Sequence, residues 1–246
     1  MAQNLWLLGY PDRALASAKQ VMTLARSERD EWYGWTARWY ALFVLLWRRD
    51  SQALDDANQL LALATERGFS FGIGPSRMAV GGALVDIGRL AKGVAEIERF
   101  RQESARVGAP RASLPGLIVA SALGKAGRRA DAFRLVENAL RRTRETGEKV
   151  CEPEFHRLWG EFLQAENNRN TGEVDRAFRT AIDIARRQRA KSWELRATTS
   201  LARLLAKQGK RDEARTMLAD IYNWFTEGFD TADLKDAKAL LDDMSR

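Results

Sequence analysis

His156 and Cys151 are the only histidine and the only cysteine in the 246 residues. They stand five positions apart in Cys151-Glu-Pro-Glu-Phe-His156. A thiolate nucleophile activated by an imidazole needs the two within hydrogen-bond reach and a third group to orient the base. Five residues on a helix subtend about 140°, so these side chains do not share a face, and the segment reads as an ordinary helix start. One histidine excludes a zinc-protease signature, and a structural zinc site with about four Cys/His ligands is out of reach. A disulfide framework needs two cysteines. Leu123-Gly-Lys-Ala126 suggests a phosphate loop, but that motif requires Gly five residues before the Gly-Lys pair and Ser/Thr after it. Val119 and Ala126 stand there instead. Gly72-Ile-Gly74-Pro-Ser-Arg77 lacks the third glycine of a dinucleotide fingerprint. No catalytic, cofactor-binding or metal-binding residue is therefore assigned, and the chain is not expected to be an enzyme.

Residues that could bind are more numerous. Trp32, Trp35, Trp39, Phe43 and Trp47 recur every three or four positions, with Tyr33 and Tyr40 beside them. This is either a stacking platform or the wide apolar stripe of a helix buried between neighbours. Basic residues cluster: 124–149 holds eight Lys/Arg against four acids, and 176–191 six against one. The last stretch, 220–246, reverses the balance with seven acids against three bases. Nucleic-acid binding through a basic outer face is the alternative reading, although no helix-turn-helix, RNA-stacking motif or basic arm accompanies it.

The elements that must position these residues follow from composition and repetition. The chain is 45% hydrophobic and 30% charged, with five prolines and a mass of 27.8 kDa, which suits a helix-rich protein with a sizeable core. No basic leader precedes the short apolar stretch Leu5–Leu8. The longest apolar run, Trp39–Trp47, has nine residues, about half a membrane span. A cytoplasmic protein without membrane association is expected.

Ala14, Ala53, Gly93, Ala132, Ala177 and Ala214 open similar hexapeptides at steps of 39, 40, 39, 45 and 37 residues. Gly68, Gly108 and Gly147 lie 15 residues after their anchors and Gly228 lies 14 after. Gly9, Gly88, Gly127 and Gly209 lie five before theirs. Each unit reads as two antiparallel helices, A and B. Glycine supplies the left-handed residue that ends each helix, and the small anchor lets B pack close to A. All five prolines are expected at helix edges. The irregular 45-residue step coincides with the polar stretch Glu166–Gly172, a lengthened loop.

The Gly-x-x-x-x-Ala pattern resembles a tetratricopeptide (TPR) repeat with a unit longer than about 34 residues. The expected fold is all-α: a TPR-like α-solenoid, a right-handed superhelix whose A helices line a concave groove. The units run roughly 1–30, 31–69, 70–109, 110–148, 149–191 and 192–228, with a capping helix over 229–246. In that cap Ala232, Leu234, Ala237, Leu240 and Leu241 share one face, and Asp233, Asp236, Asp242 and Asp243 occupy the other. The N-terminus lacks an equivalent. Its first helix A keeps only Leu5, Trp6, Leu7 and Leu8, so either the chain is a piece of a longer protein or the apolar stub docks on a second copy as a homodimer. Mapping the repeat places Trp35, Arg38, Arg157, Arg196, Arg203 and Lys207 in the groove, a lining suited to an acidic peptide or protein segment.

The stretches Ala181–Leu205, Tyr222–Leu241 with its Trp-Phe-Thr-Glu-Gly-Phe-Asp-Thr, and Leu8–Leu15 together resemble the C-terminal TPR region of large bacterial signalling proteins. In those, a class III adenylate/guanylate cyclase or DNA-binding domain precedes a P-loop ATPase module and the repeats. The resemblance implies a regulatory, protein-binding role in signal transduction. It carries over no catalytic residue, because the metal-binding aspartates and Walker motifs of those modules have no counterpart here.

Overall fold

The computed structural model describes residues 1–27, 29–107, 113–166 and 171–245. Among them are thirteen helices and no strand: α1 Ala2–Leu7, α2 Pro11–Arg26, α3 Glu31–Arg48, α4 Ala53–Glu66, α5 Ser70–Asp86, α6 Leu90–Val107, α7 Ser113–Lys125, α8 Arg129–Thr146, α9 Glu152–Ala165, α10 Thr171–Gln188, α11 Lys191–Lys207, α12 Arg211–Tyr222 and α13 Ala232–Met244. Odd-numbered helices from α3 to α11 are the A helices; even-numbered ones are the B helices. The chain forms two compact units. One comprises Met1–Asn4 and Arg13–Ala132, the other Leu5–Asp12 and Phe133–Arg246.

Hydrophobic patterning separates the two helix types. On α10, Val174, Ala177, Phe178, Ala181, Ile182, Ile184 and Ala185 are buried, largely the i, i+3, i+4 stripe of a helix with one covered face. On α5 every residue from Met78 to Val85 is buried, and on α11 nearly every one from Ser192 to Leu205. A helix covered all round needs neighbours on both sides. In the first unit α5 packs against α4 and α6 and also against α3 and α7; in the second α11 packs against α10 and α12 and also against α9 and α13.

Small residues set how closely the pairs approach. A Cβ on Gly81 of α5 would stand 2.8 Å from the Gly93 carbonyl oxygen of α6 and 2.7 Å from Ile97 Cγ1. The repeat anchor at 93 therefore marks a true helix–helix contact. Ala14, Ala132 and Ala214, anchors of other repeats, are fully buried.

The glycine ladder closes the helices as expected. At Gly88 (φ +81) the amide donates to Val85 O at 3.0 Å and the next amide, of Arg89, to Leu84 O at 2.8 Å, the double bond of a Schellman turn. Gly108 lies outside the described residues. Two turns carry the same pair of bonds without glycine. Arg49 (φ 55) donates to Leu46 O and Asp50 to Leu45 O; Arg189 (φ 56) donates to Arg186 O and Ala190 to Ala185 O.

One expectation fails. Pro75 is inside α5 rather than at its edge, because the helix begins at Ser70. Proline cannot donate to the carbonyl four residues earlier, that of Phe71, whose residue is half exposed on the outer first turns. Pro11, Pro115 and Pro153 do fall in first turns, and Pro110 lies outside the described residues. So do four residues, 167–170, of the expected long loop Glu166–Gly172, whose last two residues, Thr171 and Gly172, open α10 instead.

Two substitutions test this packing. Arg189→Gly releases left-handed strain of about 1–2 kcal/mol and adds about 0.5–1 kcal/mol of chain entropy to the unfolded state, so urea denaturation should show a net gain of roughly 0.5–1 kcal/mol. Gly81→Ala should lower stability by about 1–3 kcal/mol, since its methyl group would meet the Gly93 carbonyl and the Ile97 amide as well as the Ile97 side chain.

Candidate interaction face

In the second unit, alternate helices present one continuous polar stripe. On α9 it consists of Glu154, Arg157 and Glu161, spaced three and four residues apart. On α11 it consists of Arg196, Ser200, Arg203 and Lys207, at the same helical spacing. Glu154 is its centre and is 2% exposed. Arg157 grips it bidentately, Nε donating to Oε2 and Nη2 to Oε1, both at 2.7 Å. Arg196 Nη1 donates to the same Oε1 at 3.2 Å, and its Nε to Asp233 Oδ2 of α13 at 2.8 Å. Arg157 also pairs with Glu161, which accepts from Ser200 Oγ at 3.0 Å.

Burial alone would push the Glu154 carboxyl up. The guanidinium of Arg157, then that of Arg196 and the hydrogen bonds from Arg157, outweigh it and hold the carboxyl below the usual carboxylate range. Burial would likewise lower Arg157, but Glu154 and Glu161 raise it further above its ordinary value. The network is an ion cluster centred on a buried carboxylate and opening outward at Glu161, with every charge answered.

The groove residues named from the sequence therefore divide. Arg157 and Arg196 sit on this face, committed to Glu154, Glu161 and Asp233. Arg203 and Lys207 continue the stripe and are exposed. In the first unit, Trp35 is 3% exposed, donates its indole N–H to Leu60 O of α4 at 3.2 Å, and lies against Gly72 of α5. Arg38 is buried and turned toward the B helices, donating to Gln59 Oε1 of α4 at 3.1 Å; burial, then Arg26 of α2, lowers its pKa against the opposing pull of Asp56.

The aromatic stripe is mainly core: Trp35, Phe43 and Trp47 are buried. Trp32, Trp35 and Trp39 nonetheless form a near-parallel ladder, with centroids 6.1 and 5.7 Å apart. Its outer rung, Trp32, is 39% exposed and meets Phe71 edge-on at 3.8 Å. Phe71 and Glu154 were not singled out from the sequence, and Asp233, read only as part of the polar face of the cap, turns inward to Arg196. The Glu154-x-x-Arg157-x-x-x-Glu161 spacing could have flagged the α9 part of the cluster, but nothing local links Asp233 to it.

Cys151 is fully buried just ahead of α9; burial and then the charges of Glu154 and Glu148 push its thiol well up, the reverse of a reactive thiolate. Burial, and then Arg144, lowers His156 from its ordinary value. Many charges of the basic stretches are paired: Lys125 at the end of α7 with Asp86, Arg128 ahead of α8 with Asp131 and Glu98, Arg179 of α10 with Asp175 and Glu213, and Arg186 of α10 and Lys191 of α11 with Glu194. Among the described residues no cluster of acids, His or Cys could hold a metal ion, and no helix is long and apolar enough to cross a membrane.

No protein-family model and no curated protein sequence matches the chain. Solved structures do. The crystal structure of nearly identical TPR-like repeats assigned to a Podosopora anserina kinesin light chain aligns with a TM-score of 0.51 at 16% identity, covering 94% of this chain and 98% of that one. A single-substitution variant of those repeats aligns with a TM-score of 0.52 at 17% identity, covering 84% and 93%. The chain is thus similar in fold to TPR-like repeat proteins. It is an all-α, TPR-like α-solenoid of antiparallel helix pairs.

Glu154→Gln should cost about 3–5 kcal/mol, because it leaves two half-buried guanidinium groups short of a buried carboxylate. The folded carboxyl titrates below its unfolded value, so its contribution is present above about pH 4.3 and is lost as pH falls through the folded value. The His156 imidazole also resists protonation in the folded state. Stability should therefore fall as pH drops through about 6.5. Melting temperature measured across this range should show a shallower decline in His156→Gln than in the parent chain.

Proposed function

We propose that this chain is a non-catalytic, protein-binding scaffold that engages a partner segment along the stripe of alternate helices. The observation that carries the reading is the uneven charge along α11. Its first half is neutralised by Glu154 and Asp233, whereas Arg203 and Lys207 at its C-terminal end are exposed, with no ion pair to either among the described residues. An acidic segment would gain charge-assisted hydrogen bonds there, while Arg157 and Arg196 hold the floor beneath it. In the first unit Trp35 backs the exposed Trp32 and Phe71, which would make the contact, while Arg38 is committed to Gln59 on the B-helix side.

The wider role is regulatory, in a bacterial signalling system whose cyclase or ATPase activity resides in other modules, as the sequence resemblance implies. The paired charges of the basic stretches leave the nucleic-acid alternative without a specific observation in its favour.

A pull-down from a cell extract with native-mass readout tests the scaffold reading. A stoichiometric protein partner is expected with the parent chain. It should be lost, or weakened at least about tenfold, in Arg203→Glu/Lys207→Glu, since like charge at the contact costs more than the lost pairing. Retention of the same partner by the double variant would remove the charge assignment.

A further inference from the structure

The second unit includes eight residues from the far end of the chain, Leu5–Asp12, and the way they are held is that of a peptide in a binding site. Trp6 is 2% exposed. Its ring meets Trp193 edge-on at 4.7 Å, and the Arg196 guanidinium lies 5.0 Å from one indole and 5.1 Å from the other. The Trp6 carbonyl accepts the hydroxyl hydrogen of Ser192. At Gly9 (φ +90) a Cβ would stand 2.5 Å from Trp224 and 2.8 Å from Lys191 Cβ, so both shape and backbone select glycine. The Tyr10 ring is 5.7 Å from that of Trp224.

Pro11 is pressed onto Gly228, where a Cβ would come within 2.0 Å of Pro11 Cγ. Asp12 closes the register with two reciprocal bonds. Its amide donates to Glu227 Oε1 at 3.0 Å, and its own Oδ2 accepts from the Gly228 amide at 2.8 Å. Four kinds of recognition are thus spread over seven residues, Trp-x-x-Gly-Tyr-Pro-Asp: an aromatic pocket with a cation, a glycine-only approach, a proline contact and a carboxylate clamp.

Pro11 and Asp12 open the 16-residue α2, but the part of the segment before them has little structure of its own to hold it there. α1 has six residues, far below the ~12–15 at which an isolated helix becomes marginal. Its order comes from the seat, and Leu8 and Trp224 remain exposed along its rim.

We propose that the seat on α11 and the α12–α13 turn is a peptide-binding site occupied in cis by residues 5–12. In trans it takes a peptide of the same chemistry: a tryptophan, then after two residues glycine, an aromatic, proline and an acid. The inference deepens the scaffold reading by naming a ligand class and a built-in competitor for one end of the α11 stripe. A tethered segment acts at an effective concentration of the order of 1 mM. It weakens a free peptide of ~10 µM intrinsic affinity by about a hundredfold.

The test uses the full chain and a fluorescein-labelled synthetic peptide copying residues 2–13, read by anisotropy. Removing the tethered anchor with Trp6→Ala should tighten peptide binding at least about tenfold over the parent chain. Amide exchange at 191–196 and 224–231 should speed up in the variant and slow again when the peptide is added. Asp12→Asn, which alters only the exposed clamp, provides a second chain that keeps the fold if Trp6→Ala does not, and should give a smaller gain in the same direction. A control peptide carrying the Trp6→Ala change should bind at least about tenfold more weakly. If the peptide binds no folded variant better than the parent chain, or if the control binds equally well, residues 5–12 are a fixed structural cap and the proposal is wrong. Neither result needs a cellular partner, so the pull-down stands or falls separately.

Discussion

A helices such as α5 and α11 cannot be stable by themselves, because they are covered on nearly all sides. Met78–Val85 of α5 and Trp193–Leu205 of α11 would face water in any single helix pair. Their burial requires a B helix on one side and the preceding and following A helices on the others. Close approach is the other half of that requirement: Gly81 lies against Gly93, and Gly160 of α9 leaves no room for a Cβ beside Phe178. Helix order, turn positions and the exposed polar stripe all follow from meeting this need at each repeat in turn.

The ion cluster around Glu154 sits on the same A-helix surface and acts differently from the apolar contacts. It ties α9 to α11 through Arg196 and α11 to α13 through Asp233. Hydrophobic contacts tolerate small slides, whereas Arg196, bonded at once to Glu154 and Asp233, defines one geometry for the three helices. Three carboxylates answer two half-buried guanidinium groups here, so the cluster has no positive charge left over.

Much of the architecture was legible in the amino-acid order because it rests on local rules. Glycine five residues before an alanine anchor marks a turn followed by a packed helix, and each described member of that ladder has positive φ. The acidic last helix was equally readable, with Thr231 accepting from the Leu234 amide at its start. What escaped was non-local. Arg49 and Arg189 fill left-handed positions that glycine usually marks, and Pro75 lies inside a helix whose true start is five residues earlier. Among the six groove residues, repeat mapping placed Arg157, Arg196, Arg203 and Lys207 on one face. It could not tell that the first two are consumed by Glu154, because Asp233 and Glu161 complete that cluster across three helices. The N-terminal stub showed its unmatched apolar surface in the sequence. That Trp6 meets Trp193 of its own chain required the fold.

The burial of Cys151 has a practical consequence for anyone wishing to watch this molecule move. The chain's one native thiol is sealed against solvent and held in its protonated, unreactive form by that burial and by the acids around it. A cysteine introduced on an exposed helix face would then be the only group that maleimide or nitroxide reagents attack. Spectroscopic probes can thus be attached one at a time to the folded chain without first deleting a buried side chain.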